Sequence, residues 1–256
     1  ASVVVDDDRP SGRSLVLDDL RHSYVDLEDP TFLDFRYFRI FADVVDPMTN
    51  GGADGELDVL SIGGAGMAFP GYVAATRPGS TNLVLEIDGE LVEIAENELG
   101  FGPSDEFRVI VGDARLSLFD LEASSFDLVI GDAFGGRAVP WHLTTTEVFE
   151  QVASLMRPDG VYVMNIIDGN ERNYARAQLA TLREHFEHVA LVSPPESVPR
   201  FAAANQVLVA SNAPLPTITV DPADGVLEDT ATTLDFIGDA TVLRDDFAPV
   251  DQLSKN

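Results

Sequence analysis

The chain has 256 residues, 45% of them hydrophobic and 23% charged, enough to bury the core of one domain with an appendage. Its net charge of −28 argues against nucleic acid as a partner and favours a cationic ligand, although solubility or salt adaptation is the plainer source of such a charge. With no cysteine and four scattered histidines, disulfides, thiolate metal sites, cysteine nucleophiles and a histidine-rich metal centre are not expected.

Residues 1–46 predict short strands in "SVVVDD", "GRSLVLDD" and "HSYVDL". A helix is expected after Pro30, where Phe32, Phe35, Phe38 and Phe41 recur every third residue. "DPMTNGGADGE" is a loop by its punctuation. From Leu57 the rhythm becomes strand and helix in alternation. "LDVLSI", "TNLVLEID", "FRVIVGDA", "FDLVIGD" and "VYVMNIID" read as strands. "MAFPGYVAATR", "GELVEIAENELG", "TTTEVFEQVASLMRPDG" and "ERNYARAQLATLREHF" read as helices. "HVALVS" and "NQVLVAS" close the series as an antiparallel pair, bringing the sheet to seven strands.

Near-continuous apolar strands alternating with helices imply an α/β fold with a doubly wound, mainly parallel, Rossmann-like sheet. The expected division is an N-terminal β-region with a helix at 1–46, a nucleoside-cofactor domain at 47–211, and an acidic tail at 212–256 packed on that domain. No apolar run approaches 18 residues, so no membrane span is expected in this sequence, and the residues before "DDDRP" do not read as a signal peptide. The opening "ASVVV", without a methionine, suits a piece trimmed from something longer.

Ligands of such sheets bind beyond the carboxyl ends of the strands. Gly63–Gly66, Glu86, Asp113 and Asp132 all fall at such ends. The glycine turn Gly63, Gly64, Ala65, Gly66 lets backbone approach a ligand, but Phe69 stands where a dinucleotide fingerprint needs its third glycine. Glu86, twenty residues beyond Gly66, is placed to accept from ribose hydroxyls, in preference to capping a helix. Asp88 is better read as a helix cap. Asp113 either reads an adenine amino group or caps a helix starting at Ala114. No P-loop is present and no basic residue flanks the glycines, so a nucleoside cofactor without phosphates is the expected ligand, the other reading of the glycines being a bare structural turn.

In their order, "LDVLSIGGAGMAFP", "LVLEID", "VIVGDAR" and "FDLVIGDAF" resemble the class I S-adenosylmethionine-dependent methyltransferase fold. Within it they resemble the spermidine synthase (polyamine aminopropyltransferase) family, as "GRSLVLDDLRHSY" does that family's N-terminal β-region. "DAFGGRAVPWHLTT" and "DDFAPVDQL" are closest to a bacterial spermidine synthase-like branch, some members of which carry an N-terminal membrane region. The resemblance implies that decarboxylated S-adenosylmethionine or S-adenosylmethionine is bound without metal, methylthioadenosine being the product. Gly63, Gly64, Ala65, Gly66, Glu86, Ile87, Asp113, Ala114 and His22 would then bind cofactor, His22 standing where the family usually has glutamine. Asp132 would take a proton from, or orient, the attacking amine, unless it merely caps its loop. Phe134, Trp141 and His142 would belong to the substrate loop, with packing as the other reading of Trp141 and packing or capping the safer one for His142. A small cationic amine as substrate, a homodimer or homotetramer, and a cytoplasmic location follow by the same resemblance, the alternative being the soluble domain of a longer membrane-attached protein.

Three departures from the family pattern fall on the amine side. Gly66 stands where the family has an acid, Ala133-Phe134-Gly135-Gly136 follows Asp132 without a second carboxylate, and Val148 and Phe149 stand for channel tyrosines. Asp245 and Asp246 in the tail are candidates for replacement charge, a solvated acidic tail being the plainer reading. The leading expectation is a spermidine synthase-like aminopropyl transferase with a remodelled amine site. The alternatives are a small-molecule methyltransferase and a non-catalytic nucleoside- or polyamine-binding domain.

Overall fold

The computed structural model describes residues 1–49, 51, 55–135, 139–169, 171–195 and 203–254, so Gly136 lies outside the described residues. Strands β1 (Ser2–Val5), β2 (Gly12–Leu17) and β3 (Leu20–Asp26) form a separate antiparallel sheet in the order β1-β2-β3. Its β2–β3 hairpin pairs Leu17 with Leu20 across Asp18 and Asp19, which take φ of 47° and 65°. Two left-handed residues in a two-residue loop match the right-handed strand twist, and aspartate tolerates that region.

Helix α1 (Arg36–Val45) begins later than the phenylalanine spacing suggested. Asp29 ends the preceding segment in a local turn, accepting from the backbone and hydroxyl of Thr31. Phe35 is the extended residue before the helix. Phe32 instead packs edge-on against Tyr24 and under the Arg9 guanidinium, 3.8 Å from its ring centroid. Only Phe38 and Phe41 belong to the helix, where both are buried against Phe69.

The large sheet holds β4 (Asp58–Ile62), β5 (Thr81–Glu86), β6 (Phe107–Val111), β7 (Phe126–Gly131), β8 (Met156–Asp168), β9 (His188–Ser193), β10 (Ala204–Ser211) and β11 (Val226–Glu228). Their order is β11-β9-β10-β8-β7-β4-β5-β6. The pairs from β8 to β6 are all parallel, and those from β8 to β11 antiparallel. The α/β, mainly parallel architecture is as expected, with an eighth strand that the acidic tail adds at the β9 edge. β8 also starts earlier than "VYVMNIID", because residues from Met156 already pair with β7 across an irregularity.

Helices α2 (Ala68–Thr76), α3 (Gly89–Glu98), α4 (Ala114–Leu118), α5 (Thr146–Leu155), α6 (Asn173–Leu182), α7 (Thr230–Ile237) and α8 (Val250–Leu253) complete the chain. Successive residues of β7 feed opposite layers, as strand geometry requires. Leu128 and Ile130 join the α1–α2 layer, while Val129 joins the layer of α4 to α6. The tail contributes Ile237, Leu243 and Val250 to that second layer. It is also tied to α1 by the bidentate pair of Arg39 with Asp224. Among the described residues, no helix is long and apolar enough to cross a membrane.

The chain leaves β4 for β5 and β6 on one side and returns through β7 and β8 on the other. The crevice therefore opens between the ends of β4 and β7. Gly63, with φ of 90°, makes this possible: a Cβ there would lie 2.7 Å from the Asp132 carbonyl oxygen and 2.8 Å from Ala133 Cα.

Candidate active site

A cavity of about 480 Å³ lies over this crevice, within the range of small-molecule sites. The N-terminal hairpin and the start of α1 cover it from one side. Of the residues singled out from the sequence, it is lined by Gly63, Gly64, Ala65, Glu86, Ile87, Asp113, Ala114, Asp132, Phe134, His22 and His142.

Glu86 ends β5 with 6% of its surface exposed. Its Oε2 accepts from the amides of Gly64 (2.9 Å) and Ala65 (2.8 Å), and its Oε1 from Asp88 N at 3.0 Å. A short acidic side chain thus locks the glycine turn to the neighbouring strand while still facing the cavity. Asp88 caps α3 through Glu90 N. Asp113 caps α4 through Arg115 N at 2.9 Å and holds its Oδ1 3.7 Å from His142 Nε2, so capping and a place on the wall coexist. His22 comes in from β3, and burial lowers its pKa, which favours the neutral ring.

Asp132 follows the last residue of β7, and its backbone N–H donates to Ile62 O. Its Oδ1 accepts from Asn165 Nδ2 at 2.9 Å, and its Oδ2 from the Tyr37 hydroxyl at 3.1 Å. Asn205 Nδ2 in turn donates to Asn165 Oδ1 at 3.0 Å. Burial pushes the Asp132 carboxyl up to about 7, against the lowering effect of the bonds from Asn165 and Tyr37. Burial first, and then the facing carboxylate, raise the Tyr37 phenol well above its ordinary value, so Tyr37 remains a donor. A carboxyl poised near 7, oriented by two donors, can exchange a proton with a ligand at neutral pH.

Several expected residues stand elsewhere. Gly66 does not reach the cavity: a Cβ there would meet Ser23 Oγ at 2.6 Å and Leu99 Cδ1 at 3.1 Å. After left-handed Ala65 the chain has already turned toward the N-terminal sheet, and Gly66 lets the two pack. Trp141 is 51% exposed beside His142 and is not part of the wall. Val148 and Phe149 are core residues of α5, buried because that face of the helix meets the sheet. Asp245 pairs with Arg115 at 2.5 Å and accepts from Thr145 Oγ1, so its charge is spent holding the tail to α4. Asp246 is exposed at the surface.

Tyr37, Asn165 and Asn205 were not anticipated from the sequence. Two asparagines inside the apolar runs "VYVMNIID" and "NQVLVAS" were the available signal, since an amide in a buried strand needs a partner. Tyr37 offered none within a run of aromatic residues.

No protein-family profile matches the chain. It is 36% identical over 109 residues to the polyamine aminopropyltransferase of Vibrio vulnificus, across 42% of this chain and 36% of that protein. It is 25% identical over 150 residues to the polyamine aminopropyltransferase of Chromobacterium violaceum, across 59% of this chain and 56% of that one. The matched region therefore spans roughly a third to a half of these relatives. Among solved structures, a probable spermidine synthase from Corynebacterium glutamicum superposes with a TM-score of 0.87 at 25% identity, covering 95% of this chain and 92% of that one. Human methyltransferase-like protein 13 in complex with SAH shares the fold, with a TM-score of 0.55 at 18% identity, covering 86% of this chain and all (100%) of that one.

Proposed function

We propose, on the premise that this chain is a sequence homologue of spermidine synthases with a class I methyltransferase-like fold, that it transfers an aminopropyl group from decarboxylated S-adenosylmethionine to an amine. The observation that carries this reading is the Asp132 carboxyl, held between Tyr37 and Asn165 on the cavity wall beside the glycine turn. The donor fits the wall by chemistry: carboxylates at Glu86, Asp113 and Asp132 suit a cationic nucleoside, and no basic side chain stands in the glycine turn to bind phosphate. The sulfonium supplies an electrophilic carbon next to sulfur.

Gly63, Gly64 and Ala65 bring backbone against the nucleoside, with Glu86 toward its ribose and Asp113 with Ala114 toward its base. Ile87 and His22 flank that half, and Phe134 and His142 close the cavity from the loops after β7. An alkylamine with a pKa near 10.4 is protonated at neutral pH and cannot attack carbon. Asp132 draws in the ammonium, accepts its proton and leaves the lone pair free. The new C–N bond forms as the C–S bond breaks, methylthioadenosine leaves, and the proton passes from Asp132 to water.

Incubation with decarboxylated S-adenosylmethionine and a panel of amines is expected to release methylthioadenosine. Asp132→Asn is expected to reduce this by about 10²–10⁴-fold while methylthioadenosine still binds. Absence of product with every amine overturns the reading. One observation favours a second one, a small-molecule methyltransferase. The part of the glycine turn that lines the cavity, Gly63, Gly64 and Ala65, carries no acid to repel a methionine carboxylate, and tighter binding of S-adenosylmethionine than of its decarboxylated form decides for it.

A further inference from the structure

We infer that Asn205 is a positioning residue for the proposed transfer: acting through Asn165, it fixes which end of that amide faces Asp132. The inference rests on the aminopropyl-transfer reading of the same cavity and adds a residue to its proton step. Asn165 lies on β8 and Asn205 on β10, strands that pair antiparallel from Ala204 opposite Asp168 to Ser211 opposite Val161. Asn205 stands opposite Ile167 and Val207 opposite Asn165, so the two asparagines are diagonal neighbours on one face. That face looks toward α1, because Val163 and Val207, of the same alternation, pack in the α1–α2 layer. Tyr37 reaches Asp132 from that helix.

An amide has a donating and an accepting end, and its place in the fold does not by itself choose between them. An ionised carboxylate only accepts, so Asn165 serves Asp132 with its Nδ2 turned inward and opposes it with its Oδ1 turned inward. Asn205 Nδ2 donates to Asn165 Oδ1 at 3.0 Å, and Asn165 Nδ2 donates to Asp132 Oδ1 at 2.9 Å. Asn165 therefore cannot turn alone, since its Nδ2 would then meet Asn205 Nδ2, donor against donor. Bonds in such a chain also polarise one another, so the first strengthens the second. Both amides are uncharged, and the carboxylate keeps its full attraction for an ammonium.

Burial raises the Asp132 pKa, and the bond from Asn165 leads the two that oppose it. Among the described residues, the other titratable and charged groups on the cavity wall are Tyr37 of α1, Arg21 and His22 of β3, Glu86 of β5, Asp113 before α4, and His142 after β7. The substitutions below leave all of them in place.

The test is the pKa of the Asp132 carboxyl in the full chain, read by carboxyl-carbon NMR titration, with Asp132→Asn assigning the signal. The acid limb of the pH–rate profile with decarboxylated S-adenosylmethionine and 1,4-diaminobutane is the parallel readout. Asn165→Leu is expected to raise the pKa by about one unit or more, and Asn205→Leu by about half a unit. Asn205→Asp, which accepts and cannot donate once ionised, is expected to raise it further than Asn205→Leu by turning the Asn165 amide around. In the Asn165→Leu background, Asn205→Leu is expected to add nothing, because its route to Asp132 is gone. An unmoved pKa in Asn205→Leu overturns the inference, and so does an equal shift in both backgrounds, which would mean that Asn205 acts without Asn165. Absence of methylthioadenosine with every amine overturns the transfer reading instead, and the titration still decides whether Asn205 orients Asn165.

Discussion

Asp132 is a side chain that is costly to bury and that the proposed transfer would use. In an unfolded chain its carboxyl would titrate near 3.9, whereas in the fold it is pushed up to about 7. Between those values the native protein holds a proton that the unfolded chain has lost, so this residue makes stability fall as pH rises through the window. Asp132→Asn is therefore expected to melt above the parent at pH 8, with the gap closing toward pH 4. Thermal melts across that range check it, and a gap independent of pH would contradict the buried carboxyl. After Asn165, Tyr37 donates the second of the two bonds that lower the Asp132 pKa against burial. Tyr37→Phe should move the acid limb of the pH–rate profile to higher pH, and an unmoved limb would remove Tyr37 from the proton step. Asp132 was legible because a carboxylate ends an apolar strand. Tyr37 lies 95 positions away, and no local pattern joins the two.

Among the elements, the glycine turn shows how far motif reading reaches. Gly63 and Gly66 look alike in "LSIGGAGMAFP", yet one lets β4 approach the loop after β7 and the other lets the N-terminal sheet dock. Installing an acid at position 66 should not give the cavity a new charge. Gly66→Asp is expected to cost about 1–3 kcal/mol by overpacking against Ser23 and Leu99, with no gain in affinity for decarboxylated S-adenosylmethionine. Denaturant titration and calorimetry measure both, and a stable variant that binds more tightly would overturn this assignment of Gly66. The apolar strands β4, β5 and β7 to β10 were readable from composition, because a strand covered on both faces cannot carry polar residues cheaply, and the half-exposed edge strand β6 was readable from its β-branched residues. β11 was not. Its three residues have no periodicity of their own and become a strand because β9 offers a free edge.

For the molecule as a whole, the charge of −28 acts on every conformation at once. Compactness brings like charges together, and added salt screens them over roughly 10 Å at 0.1 M. Raising sodium chloride from about 0.05 to 0.5 M is expected to raise the melting temperature. A fall would mean that local pairs such as Arg39–Asp224 and Arg115–Asp245 outweigh the global repulsion. The tail is part of this balance, since it brings both those aspartates and the buried Ile237, Leu243 and Val250.

Chain order and hydrophobic rhythm were enough to specify a doubly wound sheet and to place a glycine turn and three acids at its rim. These features are local, written in the period of a strand or the residue that ends it. Which of them share a cavity and which donors hold Asp132 were settled by packing. Such contacts join positions far apart in the chain, and their energies depend on burial, which exists only once the layers have closed.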